Sequence, residues 1–317
     1  MKNEVTLVIG NGFDIGLELE TSFSDFMRKS NKIMEKGNSS SGASIFPHLK
    51  EARLFQNWID VEKELKKFVA RYHHFQKPEF IELVQLIKEY LDDVDNSIEE
   101  IPISKIQETK SYRVLEEIVW TKSYEILNFN YTKSVEYILE KILKVERAEI
   151  DKRLHYVHGS LKDDNIVIGV DESFDKALDF PFLVKFQNIK FQNININNKF
   201  KESMNVVFFG HSIGETDHSH FDTFFSSISE IEPQSANSLN KGVFVFYYGE
   251  DDWDDKAREI NILTKGKFKK LMDYNKFIKL DAKSDINKFD RNLFIKDPNA
   301  RTNSGVYTAS GGKINRY

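Results

Sequence analysis

The sequence predicts an α/β fold: a Rossmann-like, mostly parallel sheet with helices on both faces and a large helical insert or cap. Apolar runs typical of buried strands alternate with stretches of helical spacing, which is the pattern of a parallel sheet covered by helices. The first apolar run ends abruptly in Gly10-Asn11-Gly12, as expected where a buried strand turns into a helix. A long helical stretch, about residues 43–121, precedes the next strand, so we expect an insert rather than a plain doubly wound fold.

The composition is that of a soluble globular protein with a substantial core. The chain has 317 residues, of which 40% are hydrophobic and 30% are charged. Its net charge of −5 provides no overall attraction to nucleic acid. It contains no cysteine, which excludes disulfides and thiolate zinc sites. We find neither a signal peptide nor an apolar run near the ~18 residues of a membrane helix, so we expect a cytoplasmic location and no membrane partner.

The first half of the chain is predicted to be largely helical after its first strand. Ser22 and Asp25 form a capping-box pattern, which predicts a helix that starts near Phe23. Apolar side chains at helical spacing predict the later helices of this half. In order, the remaining predictions are a Gly/Ser-rich loop over 37–42, helix over 54–92, an acidic break at 92–96 and helix over 112–121.

The second half alternates predicted strands with predicted helices. The strands are predicted at 124–129, 154–157, 165–170, 204–209 and 242–248. The helices are predicted at 134–145, at 173–186 with an interruption near Pro181, around 221–228 and at 253–263. The Asn-rich stretch 188–198 fits either a strand or a loop. We expect one domain over 1–290, which includes the helical insert, and a loosely ordered tail over 291–317.

Four of the predicted strands end in small or polar residues. Because the carboxyl ends of parallel strands share one edge of a sheet, we expect these turns to gather around one pocket. Open α/β sheets bind nucleotides at this edge, so the four turns together predict a nucleotide site. They comprise residues 10–12, 128–132, 158–160 and 210–212.

Two side chains in these turns have the chemistry of catalytic groups. His158 can carry a proton near neutral pH, although a histidine at a strand end can also serve only as a hydrogen-bond partner of a loop. Asn130 can orient a water or a ribose hydroxyl through its amide. Asn130 can instead cap the helix that follows, a role that Thr132 fills equally well.

Other polar side chains in and after the turns are suited to binding. A carboxylate beside a pyrophosphate is repulsive, so we expect Asp14 to face a ribose or the backbone of its turn. His211 and Ser212 are placed to contact a ribose, and Ser212 has no evident partners for a Ser-His-Asp triad. For Asp217 we favour a cap on the following helix over contact with the nucleotide.

Metal and nucleic-acid binding are weaker alternatives. A metal site would combine His211, Asp217, His218 and His220, but His218 and His220 lack a helical ligand spacing, so no metal is expected. Four lysines form a candidate basic stripe, which we interpret instead as a solvated surface: Lys265, Lys267, Lys269 and Lys270. A nucleic acid is therefore not expected as the direct substrate.

Seven short motifs follow one another along the chain. They are Val8-Ile9-Gly10-Asn11-Gly12-Phe13-Asp14, Thr21-Ser22-Phe23-Ser24-Asp25-Phe26, Trp58 with Glu62, Asn128-Phe129-Asn130-Tyr131-Thr132, Val157-His158-Gly159-Ser160-Leu161, Lys185 with Gln187, and Gly210-His211-Ser212-Ile213-Gly214-Glu215-Thr216-Asp217. In this order they resemble the motifs of the AbiH family of bacterial abortive-infection proteins that act against phage. The resemblance runs from about residue 5 to 250 and implies a role in phage defence.

The order of the turns is also distantly similar to that of sirtuin-like NAD-binding domains. That similarity implies NAD as the ligand and substrate, with Asn130 and His158 as the catalytic pair. Carried over by position, the residues that would line the cofactor are Gly10, Asn11, Gly12, Gly210 and Ser212. The other binding residues that we assign lie in or beside the same turns: Phe13, Asp14, Gly159, His211 and Asp217. Protein deacetylation is not expected, because the cysteine zinc module of deacetylating sirtuins is missing. Asn11 and Asp14 replace the usual small residues of the glycine turn, so a related nucleotide also remains open as the ligand.

The reaction that the resemblance implies is hydrolysis of the nicotinamide–ribose bond of NAD+. His158 would accept the proton, Asn130 would position the nucleophile, and the site would stabilise an oxocarbenium-like state. The alternatives are a nucleotide-sensing module that does not turn its ligand over, an effector directed at nucleic acid, and a protein–protein scaffold that uses the helical insert. A homo-oligomer or a partner defence protein is expected to hold such an effector inactive until it is triggered.

Overall fold

The fold is built on a six-stranded sheet in which every strand pair is parallel. The computed structural model describes residues 3–39, 44–55, 61–72, 75–171, 174–233, 240–284 and 288–296. The strands lie in the order β3-β2-β1-β4-β5-β6, which confirms the predicted Rossmann-like α/β class. Their bounds are β1 Asn3–Ile9, β2 Tyr124–Asn128, β3 Leu154–Tyr156, β4 Ser203–Phe209, β5 Gly242–Tyr247 and β6 Lys276–Asp281.

Helices α1 to α8 lie between β1 and β2, as the predicted insert requires. They are α1 Gly12–Gly16, α2 Phe23–Lys29, α3 Asn31–Ser39, α4 Ile45–Phe55, α5 Val61–Tyr72, α6 Lys77–Ser97, α7 Ile103–Glu108 and α8 Lys110–Val119. The later helices are α9 Ser134–Tyr137, which continues as a π-helical stretch Ile138–Ile142, then α10 Arg147–Arg153, α11 Ile196–Glu202, α12 His218–Glu230, α13 Glu250–Leu263 and α14 Phe268–Tyr274. Within the described residues, no helix is long and apolar enough to cross a membrane.

The sheet has an apolar core on each face, because side chains alternate along its strands. In β1, Leu7 and Ile9 belong to one buried cluster and Val8 to the other. The helical insert has an apolar cluster of its own, in which Phe26, Phe68 and other side chains of α2 to α6 pack with residues of the 161–183 segment. The insert is therefore held by its own core and by this segment.

The helix start that the Ser22 capping box predicts is found where expected. Ser22 is the N-cap of α2, and its Oγ accepts a hydrogen bond of 3.1 Å from the backbone N–H of Asp25. Thr109 caps α8 in the same way, with a bond of 3.1 Å from the N–H of Tyr112. Each cap satisfies a backbone donor that the helix leaves without a partner.

Two predicted elements of the second half are wrong. Residues 165–170 form no strand, and only Val170 makes an isolated bridge, with Val184. Their alternating Ile166, Ile168 and Val170 are buried in the core of the insert, so the apolar pattern reflects packing rather than sheet pairing. The predicted helix over 173–186 is also wrong: its described part consists of turns followed by short 3-10 helices, Pro181–Leu183 and Lys185–Gln187.

Several other boundaries differ from the prediction. The acidic stretch at 92–96 does not break the chain, because α6 runs through it with Asp92 and Asp93 exposed, while the buried Asp95 accepts a backbone N–H from Lys133. Helix α3 continues through Gly37. The Asn-rich stretch is irregular until α11 begins, and β6 and α14 were not predicted. Residues 40–43, Trp58, most of the 233–241 loop and the tail from 297 lie outside the described residues.

Candidate functional site

The four polar turns do gather at the carboxyl edge of the sheet. They follow β3, β2, β1 and β4, which are neighbours in that order. The chain leaves β1 toward β2 and β3 on one side and returns to β4 on the other, so the strand order reverses between β1 and β4. Ligands of open α/β sheets bind at such reversal points.

The glycines of the first and fourth turns let these two turns touch. The backbone N–H of Gly12 donates to the carbonyl of Gly210 over 2.8 Å, and that of Gly10 to the carbonyl of Phe209 over 3.1 Å. Gly210 has φ +67°, and a Cβ added there would lie 2.4 Å from the backbone N of Phe13. The glycines therefore serve close backbone approach, and the amides of Gly10 and Gly12 are used inside the fold.

Asp14 joins the first turn to the second. It is fully buried and accepts hydrogen bonds from Thr132 Oγ1 at 2.7 Å and Ser134 Oγ at 2.5 Å. Asn130 Nδ2 donates to the carbonyl of Gly10 at 3.2 Å, and the Asn130 side chain also hydrogen-bonds Asp14. Burial raises the pKa of Asp14 to about 6, against the lowering effect of these donors. Asp14 thus faces the turn backbone and its hydroxyl partners.

Two further residues of the first turn also point into the fold. Phe13 is completely buried and packs edge-on against Phe209, with ring centroids 6.1 Å apart. Asn11 exchanges hydrogen bonds with Thr21, whose Oγ1 donates to Asn11 Oδ1 at 2.5 Å. The side chains of Asn11, Phe13 and Asp14 are therefore all engaged with the protein itself.

Three histidines surround the ring of Phe129, the first residue after β2. His158 follows β3, His211 follows β4, and His220 lies in the first turn of α12; we call these three the histidine cluster. Their rings stand edge-on to Phe129 with centroids 5.2, 4.4 and 5.7 Å away, respectively. All three histidines are buried, and His158 is only 5% exposed.

Asp217 connects the histidine cluster to two buried charges. Its Oδ1 lies 3.0 Å from Lys185 Nζ and its Oδ2 lies 3.6 Å from His211 Nε2. Lys185 Nζ also contacts Glu62 Oε2 at 2.9 Å, and Glu62 accepts the backbone N–H of Gly169. Glu62, Lys185 and Asp217 form what we call the charge array. Asp217 occupies the N-cap position of α12 but makes no capping bond, so the predicted cap is wrong.

His158 Nε2 lies 3.2 Å from Asp217 Oδ1, but the contact lacks hydrogen-bond geometry. Nε2 therefore has no hydrogen-bond partner among the described residues, although the atom is buried. A buried polar atom in this state is costly unless something else satisfies it. His158 is thus the residue of the histidine cluster whose polar contacts within the fold are incomplete.

Burial sets the protonation of this group of residues. It lowers the pKa of His158, with the Lys185 ammonium adding to the effect, and it lowers the pKa of His211 to about 3 and of His220 to about 4. Burial disfavours the charged forms of Asp217 and Lys185 as well. Their mutual attraction outweighs that penalty, holding the pKa of Asp217 well below and that of Lys185 above the usual range. The site therefore combines neutral imidazoles with a fixed ion pair.

The tautomer of His211 follows from its hydrogen bond. Its Nδ1 accepts the backbone N–H of Ile213 at 2.9 Å, so in the neutral ring the proton is on Nε2. That N–H points toward Asp217 Oδ2. His211 thus supports the carboxylate and does not offer a free basic nitrogen to a ligand there.

Three of these side chains have the donor set of a metal site. One ligand atom each from His158, Asp217 and His220 lies within 4.8 Å of the others. Two imidazoles and a carboxylate suit a divalent transition metal. The Lys185 ammonium, 3.0 Å from Asp217 Oδ1, already neutralises the carboxylate, so a cation would compete with it.

The structure separates the predicted residues into two groups. His158, His211 and Asp217 meet around Phe129, whereas Gly10, Asn130 and Asp14 form the hydrogen-bonded junction of the first two turns. Ser212 is exposed. Gly159 has φ +78° and packs against the backbone of Asn165. No role in the site was predicted for Glu62, Lys185 or Phe129. Glu62 and Lys185 stand in the motifs that carry the family resemblance, and Phe129 lies in the second of the four predicted turns.

Comparison with known protein families gives one match. Residues 6–235 match the family model described as bacteriophage abortive infection AbiH. No curated protein matches the chain. The matched region begins at Thr6 within β1 and includes β2 to β4, the helical insert and every residue of the histidine cluster and the charge array.

Proposed function

The chain belongs to the bacteriophage abortive infection AbiH family, and on that premise we propose that it is a defence effector that binds NAD+ and hydrolyses its nicotinamide–ribose bond. The observation that best supports this proposal is the His158–Asp217–Lys185 arrangement at the carboxyl edge of the sheet. It places a buried, neutral imidazole beside a fixed carboxylate where parallel sheets bind nucleotides.

His158 has the state that a general base requires. Its lowered pKa keeps the ring neutral at pH 7, so it has a lone pair ready to accept a proton. Asp217 stays ionised 3.2 Å away and stabilises the imidazolium once it forms. Because Asp217 stabilises the protonated ring, proton transfer to His158 is more favourable than transfer to a buried histidine without a carboxylate partner.

The proposed reaction consumes one water. The water oxygen bonds to C1′ of the ribose, the C1′–N bond to nicotinamide breaks, and the bond electrons leave with nicotinamide as the neutral amide. His158 accepts the proton of the water and later releases it to solvent. NAD+ and water thus give ADP-ribose, nicotinamide and one proton.

The proposed role of Asn130 depends on one atom of its side chain, the amide oxygen. Its Nδ2 is committed to Gly10 and Asp14, while its Oδ1 accepts no hydrogen bond from the described part of the chain. Oδ1 can therefore accept a hydrogen bond from the attacking water or a ribose hydroxyl. The contacts of Nδ2 hold the amide plane in position.

Nicotinamide release tests this proposal. Purified protein is incubated with NAD+, alone and with extract of phage-infected cells, and nicotinamide is quantified by chromatography. We expect His158→Ala to abolish release and Asp217→Asn to reduce it. His155→Ala is the matched control, because His155 lies in β3, just before His158, but pairs with Glu125 and Lys199 instead. Equal release by wild type and His158→Ala would rule out the assigned base.

A nucleotide sensor without turnover is the second candidate. The contact between the glycine turns uses the amides of Gly10 and Gly12, so in either function the pyrophosphate would have to bind elsewhere. Calorimetry with NAD+ distinguishes the two functions. Binding with no product, under every triggering condition, would support a sensor.

The alternative of an effector directed at nucleic acid gains little support from the lysine stripe. Lys267 Nζ pairs with Glu230 at 2.7 Å, and Lys269 Nζ pairs with Asp273 at 2.7 Å. These lysines are thus balanced by carboxylates, as on a solvated surface.

A further inference from the structure

A pocket of about 260 Å³ adjoins the histidine cluster, and the proposed hydrolysis assigns no role to it. His220 contributes to both, since it lines the pocket and its ring centroid is 5.8 Å from that of His158. The other walls come from the Asn-rich stretch that precedes α11, from α11 itself and from Ser219 at the start of α12. The pocket therefore opens beside the catalytic group of the proposed function.

One side of the pocket is aromatic. Phe186 and Phe191 both line it, with ring centroids 4.8 Å apart and planes at 73°. Phe186 also contacts His220, with centroids 5.8 Å apart. Both phenylalanines are partly exposed. Partly exposed aromatic faces suit the stacking of a flat ring.

The other side of the pocket has unsatisfied polar atoms. Asn197 Oδ1 and Ser219 Oγ are buried atoms with no hydrogen-bond partner among the residues that the structure describes. Buried polar atoms in folded proteins are nearly always paired, so two unpaired ones in a single pocket indicate a missing partner. An amide oxygen accepts hydrogen bonds, and it therefore requires an N–H or O–H donor from the ligand.

The size of the pocket limits what it can hold. Drug-sized ligands occupy sites of roughly 300–1,000 Å³, so about 260 Å³ is suited to one heterocycle with at most its sugar. A complete dinucleotide is too large. The rest of such a ligand would have to lie outside the pocket, toward the strand ends.

From these features we infer that the pocket is a subsite for a planar nitrogen heterocycle that carries an exocyclic N–H donor. The ring stacks on Phe191 and Phe186, and its N–H donates to Asn197 Oδ1. Adenine, through its amino group, and nicotinamide, through its carboxamide, share this chemistry. The inference rests on the proposed function for its ligand class, because it places one half of the dinucleotide beside His220 and His158.

Binding of the free heterocycles tests the subsite without any turnover. Adenine and nicotinamide are titrated into the full chain and followed by ligand-observed NMR. Purine and pyridine, which lack the exocyclic N–H, serve as matched probes. We expect adenine or nicotinamide to bind about tenfold more tightly than its matched probe. Of adenine and nicotinamide, the one that binds more tightly identifies the half of the dinucleotide that the subsite holds.

Substitutions of pocket residues then show whether the heterocycle binds in this pocket. Asn197→Ala should weaken binding about five- to tenfold without lowering the melting temperature, because Asn197 Oδ1 has no partner to lose. Phe191→Ala should weaken it about tenfold through lost stacking. Asn198→Ala is the matched control, since Asn198 is exposed on the same helix and its side chain should not matter.

The outcomes separate this inference from the proposed function. Heterocycle binding that is lost in Asn197→Ala supports the subsite even if NAD+ is never cleaved. NAD+ cleavage that proceeds equally in Asn197→Ala, Phe191→Ala and wild type would overturn the subsite and leave the proposed function standing. The absence of heterocycle binding to wild type would also overturn it.

Discussion

The buried carboxyl of Asp14 should contribute a loss of stability as the pH rises from about 4 to about 6. Its pKa of about 6 in the fold is roughly two units above the ordinary 3.8. At this carboxyl the folded protein therefore binds a proton more readily than the unfolded chain, so the contribution of Asp14 to stability falls with rising pH. The lowered pKa values of His211 and His220 give contributions of the opposite sign, so the contribution of Asp14 is measured as a difference from a variant that lacks the carboxyl. At about 1.4 kcal/mol per unit, the loss of unfolding free energy amounts to about 3 kcal/mol.

Asp14→Asn isolates this contribution. The amide keeps the size of the side chain and an oxygen that can accept from Thr132 Oγ1, while the Ser134 hydroxyl can turn to accept from the new N–H. We expect the variant to be as stable as wild type or more stable at pH 7, with up to about 3 kcal/mol of gain. We also expect the stability of the variant relative to wild type to increase between pH 4 and pH 6. The variant itself should keep a pH dependence, since burial raises the pKa of Asp95 to about 6 and lowers those of His211 and His220.

Urea denaturation followed by circular dichroism at pH 4.5, 5.5 and 7 measures these free energies. Asp93→Asn is the control, because Asp93 is exposed on α6 and should leave the pH profile unchanged. Asp14→Ala should destabilise the protein by about 2–5 kcal/mol, since it leaves two buried hydroxyls without their acceptor. A stability difference between wild type and Asp14→Asn that stays the same from pH 4.5 to pH 7 would refute the argument.

Three further changes test the packing of the site and the sheet. Lys185→Met should destabilise the fold by about 3–5 kcal/mol, because it leaves Asp217 as a buried charge without its cation; Asp217→Asn in the same chain should recover part of the loss in urea denaturation. Gly210→Ala should cost at least ~2 kcal/mol and lower the melting temperature, since φ is +67° and the new Cβ meets the backbone of Phe13; an unchanged melting temperature would contradict the close approach of the turns. Asn205→Ala removes hydrogen bonds that tie residue 295 to the sheet, so amide exchange should accelerate over 288–296.

The sheet was predictable where burial dictates the pattern. Residues 206–209 are apolar without interruption because β4 is a central strand with helices on both faces, and such strands show continuous apolar runs. The edge strand β6 lacks that signal, since Leu280 is its only buried residue and two of its six residues are lysines, Lys276 and Lys279. The 165–170 run has the apolar residues of a strand, but they pack into the core of the insert.

The candidate site was predictable only in part. His158 and His211 could be placed at one edge because each follows a parallel strand directly. Lys185 and Glu62 come from a 3-10 helix and from the insert, and no local pattern shows that two distant segments bring opposite charges together. The glycine turn suggested a phosphate cradle, whereas its close approach to Gly210 depends on tertiary packing that sequence spacing does not reveal.

The central claim is that the chemistry of this protein takes place at His158. The most direct test is the NAD+ content of phage-infected cells that produce wild type, His158→Ala or the control His155→Ala at equal protein levels. The account predicts that NAD+ falls after infection with wild type and with His155→Ala, and stays constant with His158→Ala. Phage protection by wild type with constant NAD+, or an equal fall with His158→Ala, would contradict it.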